Sequence, residues 1–99
     1  MLGIVTKQPA DHLDYDIDFS PWLPQDDTIT TVVAVVSPAY DALTNPNGVQ
    51  ITATQIQNPD VKVWTLGGVS GQTYKVTMTA STAGGRVKEV DFQLRIKDE

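Results

Sequence analysis

Thr73-Tyr74-Lys75-Val76-Thr77-Met78-Thr79-Ala80 and Glu89-Val90-Asp91-Phe92-Gln93-Leu94-Arg95-Ile96-Lys97 are the two stretches that decide the fold. In the first, Tyr74, Val76, Met78 and Ala80 alternate with Thr73, Lys75, Thr77 and Thr79. In the second, Val90, Phe92, Leu94 and Ile96 alternate with charged or amide residues. A period of two sends one set into a core and the other into water, which is the signature of a half-buried strand. The turn Ala83-Gly84-Gly85-Arg86 between them predicts a hairpin. Opposite charges on its wet face are placed to pair, at about 0.2–1 kcal/mol each.

Upstream lies Gly67-Gly68-Val69-Ser70-Gly71, a flexible corner rather than a phosphate loop, since no helix follows it. Tyr74 comes three residues after Gly71, the placement of a tyrosine corner, in which the hydroxyl bonds back to the preceding crossover. Further back, Val61 to Leu66 splits into Lys62, Trp64 and Leu66 on one face and Val61, Val63 and Thr65 on the other. Val49 to Ile56 alternates Val49, Ile51 and Ala53 against Gln50, Thr52 and Thr54. Ile29 to Val36 is almost wholly apolar, as expected of a central strand covered on both faces or of one that changes face at a bulge. The connection Ala39 to Gly48 has room for one helical turn. Tyr15, Ile17 and Phe19 alternate with Asp14, Asp16, Asp18 and Ser20 until Pro21 ends the first strand. Six strands, and a seventh short piece near Trp22-Leu23, predict an all-β, immunoglobulin-like sandwich of about seven strands. It fills residues 1–99 as one domain, with 1–12 an arm that is flexible or ordered by a partner.

Composition agrees. Thr, Val and Ile make up 30 of the 99 residues, and β-branched side chains favour pleated surfaces. Hydrophobic residues are 40% and charged residues 19%, the balance of a globular domain. No stretch shows a sustained helical period, and no internal repeat is visible. There is no cysteine, which excludes disulfides, thiolate metal sites and a cysteine nucleophile. Met1 to Lys7 lacks the apolar core of a signal peptide, and the longest apolar run, Val32 to Val36, is too short to cross a bilayer. These features point to folding in a reducing cytoplasm, with no membrane partner. The net charge is −5: residues 1–60 hold eight acids against Lys7 alone, while residues 61–99 hold six bases against four acids. An acidic chain repels phosphate backbones, so direct nucleic-acid binding is not expected. If the asymmetry becomes two faces, it suits head-to-tail contacts between copies.

The candidates for chemistry each have a structural reading. Asp11, Asp14, Asp16 and Asp18 offer oxygen ligands for calcium, but strand spacing sets successive carboxylates about 6.6 Å apart along an outer face instead of converging them. Asp26-Asp27 reads as a turn. His12 is the only histidine, and Ser20, Ser37, Ser70 and Ser81 lie in turns or strand ends without a nucleophile pattern. No catalytic, cofactor or metal residue is predicted. Trp64 is expected in the core, and Trp22, in Ser20-Pro21-Trp22-Leu23-Pro24, fits either an end cap or a partner anchor. Partner contacts are expected at Pro21, Trp22, Leu23 and Pro24, in the loop from Tyr40 to Asn47, and in the tail from Arg95 to Glu99, as exposed aromatic, loop or charged positions.

Three segments also resemble a known family. They are Leu13 to Leu23 followed by Asp27-Thr28-Ile29, Val63 to Thr77, and Thr82-Ala83-Gly84-Gly85-Arg86 leading to Phe92 through Ile96. In this order they resemble the small bacteriophage fiber-tail adaptor or head–tail connector proteins with an Ig-like fold. Ser37 to Gln57 is longer than the family's usual loop. The resemblance implies a virion structural component, non-enzymatic, repeated around a tail or neck ring, bound to tail or neck proteins and to copies of itself. The alternative is an Ig-like cell-surface or carbohydrate-binding module of a larger adhesin, and a third reading is a calcium-dependent module.

Overall fold

The computed structural model describes residues 3–98. Seven strands form two sheets: β1 (Ile4–Lys7), β2 (His12–Asp18), β3 (Ile29–Ser37), β4 (Gln50–Gln57), β5 (Asp60–Leu66), β6 (Thr73–Thr82) and β7 (Val87–Ile96). One sheet has the order β1-β7-β6-β3 and the other β2-β5-β4. With β2 to β7 as strands B to G, these are the CFG and BED sheets of an immunoglobulin sandwich. The first strand lies parallel to β7 in the CFG sheet.

The hairpin read from the sequence forms β6 and β7 in antiparallel register, from Thr73 opposite Arg95 to Ser81 opposite Val87. Its inward residues Tyr74, Val76, Met78, Ala80, Val90, Phe92, Leu94 and Ile96 are all buried. Lys75 and Asp91 pair on the outer face at 3.5 Å. Val61 and Val63 from β5 and Ile17 and Phe19 from the end of β2 close the core from the other side. Thr65 is buried in the same row, and its hydroxyl donates to the Leu13 carbonyl at 3.2 Å.

The tyrosine corner is present. The Tyr74 hydroxyl accepts a hydrogen bond from the Val69 N–H at 3.1 Å. The corner is tight instead of flexible: Gly68 is buried at φ +117°, and a Cβ there would lie 2.5 Å from Ile96 Cγ1. Only glycine lets the chain pass so close to the end of β7.

Several expectations are corrected. Trp64 stands half-buried on the outer face of β5, because the buried set is Val61, Val63 and Thr65. Its ring meets the His12 ring edge-on at 5.5 Å, and His12 Nε2 is 2.9 Å from Thr52 Oγ1. Of the two readings of β3, the change of face at a bulge holds and the central strand does not, since β3 is an edge strand. A register shift between Ile29 and Thr31 changes its face, so Val32, Ala34 and Val36 turn inward while Val33 and Val35 point to solvent. A second shift between Ile51 and Ala53 breaks the expected alternation of β4 and leaves Ala53 exposed. The seventh strand is β1, formed by residues 4–7 of the expected arm, while Ser20–Trp22 is a short 3-10 turn. No helical turn fills the loop after β3. Asp41 there bridges to Asn45, and its Oδ1 accepts from the N–H groups of Leu43 and Thr44.

Tyr74→Phe removes one hydrogen bond and is expected to cost about 1 kcal/mol, or roughly 4–8 °C in melting temperature for a domain of this size. Gly68→Ala, which forces a Cβ onto Ile96, should cost more than Tyr74→Phe. Thermal melts followed by circular dichroism check both, and an unchanged midpoint for Gly68→Ala would contradict the close approach.

Candidate functional site

The residues expected to contact partners do not form one patch. β3 runs from Ile29, opposite Thr82, to Ser37, opposite Lys75. Pro21 to Pro24 precede its first residue and lie at the end that holds the β6–β7 turn. Tyr40 follows its last residue and lies at the other end. Arg95 faces outward on β7 between Thr6 of β1 and Thr73 of β6. The longest dimension of the molecule is 42 Å, and the two groups lie toward opposite ends of β3. Glu99 lies outside the described residues.

At the first end, Asp18 Oδ1 accepts from the Ser20 N–H at 2.8 Å and starts the 3-10 turn. Trp22 folds back on Phe19, ring centroids 5.8 Å apart, and Lys88 Nζ sits 5.0 Å over its ring. Half-buried against the core, Trp22 caps this end of the sandwich. Leu23 is half-buried as well, whereas Pro21 and Pro24 are exposed. A 310 Å³ hollow lies between Leu23, Pro24, Asn58 and Pro59.

Two side chains tie this end together, and neither stood out in the sequence. Asn58 pairs with the backbone of Ile29 as a strand would, its Oδ1 accepting from N–H at 2.6 Å and its Nδ2 donating to the carbonyl at 3.1 Å. Half-buried Asp27, its side chain 4% exposed, accepts from Gly84 N–H at 2.9 Å and from Arg86 Nη1 at 3.0 Å. The Thr82 hydroxyl first, then the Gly84 N–H and the Arg86 guanidinium, hold its carboxyl below the ordinary carboxylate range against the opposing effect of burial. In the sequence Asp26-Asp27 reads as a turn, which gives no sign of the bonds Asp27 makes to Gly84 and Arg86.

At the other end, Lys7 is 3% exposed, and its ammonium donates to the carbonyls of Gln8 at 2.7 Å and Asp11 at 2.9 Å. Burial lowers its pKa, with Asp11 acting the other way. The β3–β4 loop projects here, with Leu43 92% exposed at its tip.

The acidic outer face of β2 does not converge. Asp11 Oδ2 accepts from the Gln8 N–H, Asp14 pairs with Lys62 at 3.1 Å, and Asp18 caps Ser20. Among the described residues no group of three or more acidic or histidine side chains is placed to hold a metal ion. No helix among them is long and apolar enough to cross a membrane.

The flanks between the sheets are the more open features. On one flank β3 is exposed along its edge, with Val33 60% and Val35 55% accessible. A 290 Å³ groove beside it is lined by Val35, Val36, Tyr40, Val49 and Ile51. On the opposite flank a 410 Å³ groove separates β1 from β2.

A family model described as podophage GP4 fiber-tail adaptor protein gp77 matches residues 7–95. The chain belongs to this family. The match runs from the last residue of β1 to the penultimate residue of β7, so it takes in β2 to β6 and nearly all of β7. No curated protein matches the chain. A fiber-tail adaptor is a structural component of the phage tail and hence of the virion, and it meets other tail or fiber proteins.

A carboxylate whose pKa is depressed on folding contributes stability that is complete above its unfolded value, about 3.9, and is lost as pH falls through the lower folded value. Asp27, Asp18 and Asp41 are all depressed by hydrogen bonds. The adaptor should therefore hold its melting temperature down to about pH 4 and lose it below. Asp27→Asn should lower the midpoint at pH 7 by several degrees and shrink the drop between pH 7 and pH 3, as read by circular dichroism. An unaltered midpoint at pH 7 would remove Asp27 from this role.

Proposed function

We propose that the chain is a non-enzymatic virion subunit, repeated around the tail or neck, that joins tail and fiber components partly through contacts between its own copies. The observation that carries this reading is the β3 edge. Its nine residues, Ile-Thr-Thr-Val-Val-Ala-Val-Val-Ser, include no charge and no proline, and Val33 and Val35 lie open to solvent. Soluble sandwiches protect an exposed edge with lysine, proline or inward charge. An unprotected edge this long fits a strand that is covered once the particle assembles. Tyr40 beside the same flank extends the apolar contact. Pro21 and Pro24, with Trp22 and Leu23 behind them, present a second contact at the far end, and Arg95 a charged one on the outer face of β7.

In this reading two separated contacts, one near each end, let a subunit touch a neighbouring copy and a further component together. The net charge of −5 disfavours direct contact with packaged nucleic acid. The subunit folds in the host cytoplasm before it joins the virion, and takes no cofactor and no membrane.

The double variant Val33→Lys with Val35→Lys tests the edge. Wild-type protein is expected to gain mass with concentration in analytical ultracentrifugation, and the double variant to stay monomeric with an unchanged melting midpoint. On tail particles lacking the adaptor, wild type should restore fiber attachment and the variant should not. A monomeric wild type together with a variant that restores attachment would overturn the reading.

A further inference from the structure

The flank opposite β3 differs in both shape and charge. In the immunoglobulin sandwich a strand A flanks strand B in the ABED sheet. Here the first strand lies wholly in the other sheet, and no described strand pairs with the outer edge of β2. An antiparallel ladder bonds each residue to its neighbour on one side only, so alternate N–H and C=O groups of such an edge face outward. Beside this edge is the 410 Å³ groove, with Val5, Ile17, Tyr15 and Phe92 as its apolar wall. Asp16 and Asp18 form its rim.

The rim is acidic and regularly spaced. Asp14, Asp16 and Asp18 follow one another along the outer face of β2, with Asp60 opposite Asp18. Lys62 is the one base among them, opposite Asp16 in register and paired with Asp14. Residues two apart on an added strand repeat at about 6.6–6.8 Å, the repeat of these carboxylates.

We propose that the β2 edge accepts an extended segment of a partner protein as an added strand. Its alternate apolar side chains would fill the groove between β1 and β2, and the intervening lysines or arginines would meet Asp14, Asp16 and Asp18. The strand takes the place that strand A holds in the ABED arrangement. Main-chain bonds to β2 supply affinity, the apolar pockets set register, and the acidic rim selects a basic partner over an acidic one. This contact is distinct from the β3 edge and lies on the opposite flank.

The probe is a synthetic peptide of alternating valine and lysine as long as β2, seven residues. A valine–glutamate peptide and a peptide with the same valines and lysines in separate blocks are the controls. Hydrogen exchange read by NMR is expected to show new protection at β2 amides with the alternating basic peptide alone. Asp16→Lys, at an exposed position, should weaken binding by about 3–10-fold without changing the melting midpoint. Val33→Lys with Val35→Lys should leave peptide binding intact, so failure of this proposal and failure of the β3 reading are told apart. Absent β2 protection at millimolar peptide, protection confined to another strand, or equal binding of the glutamate peptide would each overturn it.

Discussion

The packing of Val61 and Val63 of β5 against Val76, Met78 and Phe92 of β6 and β7, in one buried cluster, places every other feature of this molecule. A chain of 99 residues has material for one such layer and buries only about 60–65% of the surface its unfolded form exposes. Each sheet therefore keeps one wet face, and β5, β6 and β7 bury every second side chain along most of their length. That constraint puts Lys62 and Trp64 outside together, because Val61, Val63 and Thr65 are inside. It also leaves the flanks open, since two short sheets packed face to face have four edges and no chain to spare for covering them.

Local alternation made much of this legible in the sequence. The β6–β7 hairpin, the inward set of β2, the turn at Gly84-Gly85 and the corner closed by Tyr74 each depend on residues within one or two strands of each other. What the sequence hid depends on distant pairing. Val32-Val33-Ala34-Val35-Val36 reads the same whether its second face is covered by its own fold or by another subunit, and only the sheet order reveals the exposed edge. Trp64 was assigned by residue type, which favours burial, but its place was decided by the parity of its neighbours. The shift near Thr30 is the change of face at a bulge that the apolar run left open, whereas the shift near Thr52 reverses parity with no composition signal to mark it. Asn58 and Asp27 bond to backbone 29 and 57 residues away, so their roles appear only once the ends of the strands meet.

The candidate contacts show the same division. Exposure and loop position pointed to Pro21, Pro24, Tyr40 and Arg95, and these side chains do lie open. Trp22, which fitted an end cap or a partner anchor equally, packs on Phe19 beneath Lys88 and closes the end of the core. The two flanks have no sequence signal because each lies between consecutive strands that do not pair with each other, β3 with β4 and β1 with β2, placed in opposite sheets. A groove between sheets has no motif.

The loops at the ends are held firmly, and this bears on what an adaptor needs. Asp27 and Asn58 fasten one end; Tyr74, Gly68 and the buried Lys7 fasten the other. With the ends fixed by side chain–backbone bonds, the flanking strands keep their shape without a lateral neighbour, so an edge presents its peptide groups already aligned. Alignment before contact lowers the ordering entropy of association, and a modest apolar area then suffices for a specific joint. The flanks are also chemically unlike: β3 is uncharged and apolar, while β2 is acidic. A strand suited to one is a poor match for the other, either burying its charges unpaired or leaving the acidic rim unanswered. If both proposed contacts form, this difference would let one small sandwich hold different neighbours at the same time through edges left unpaired.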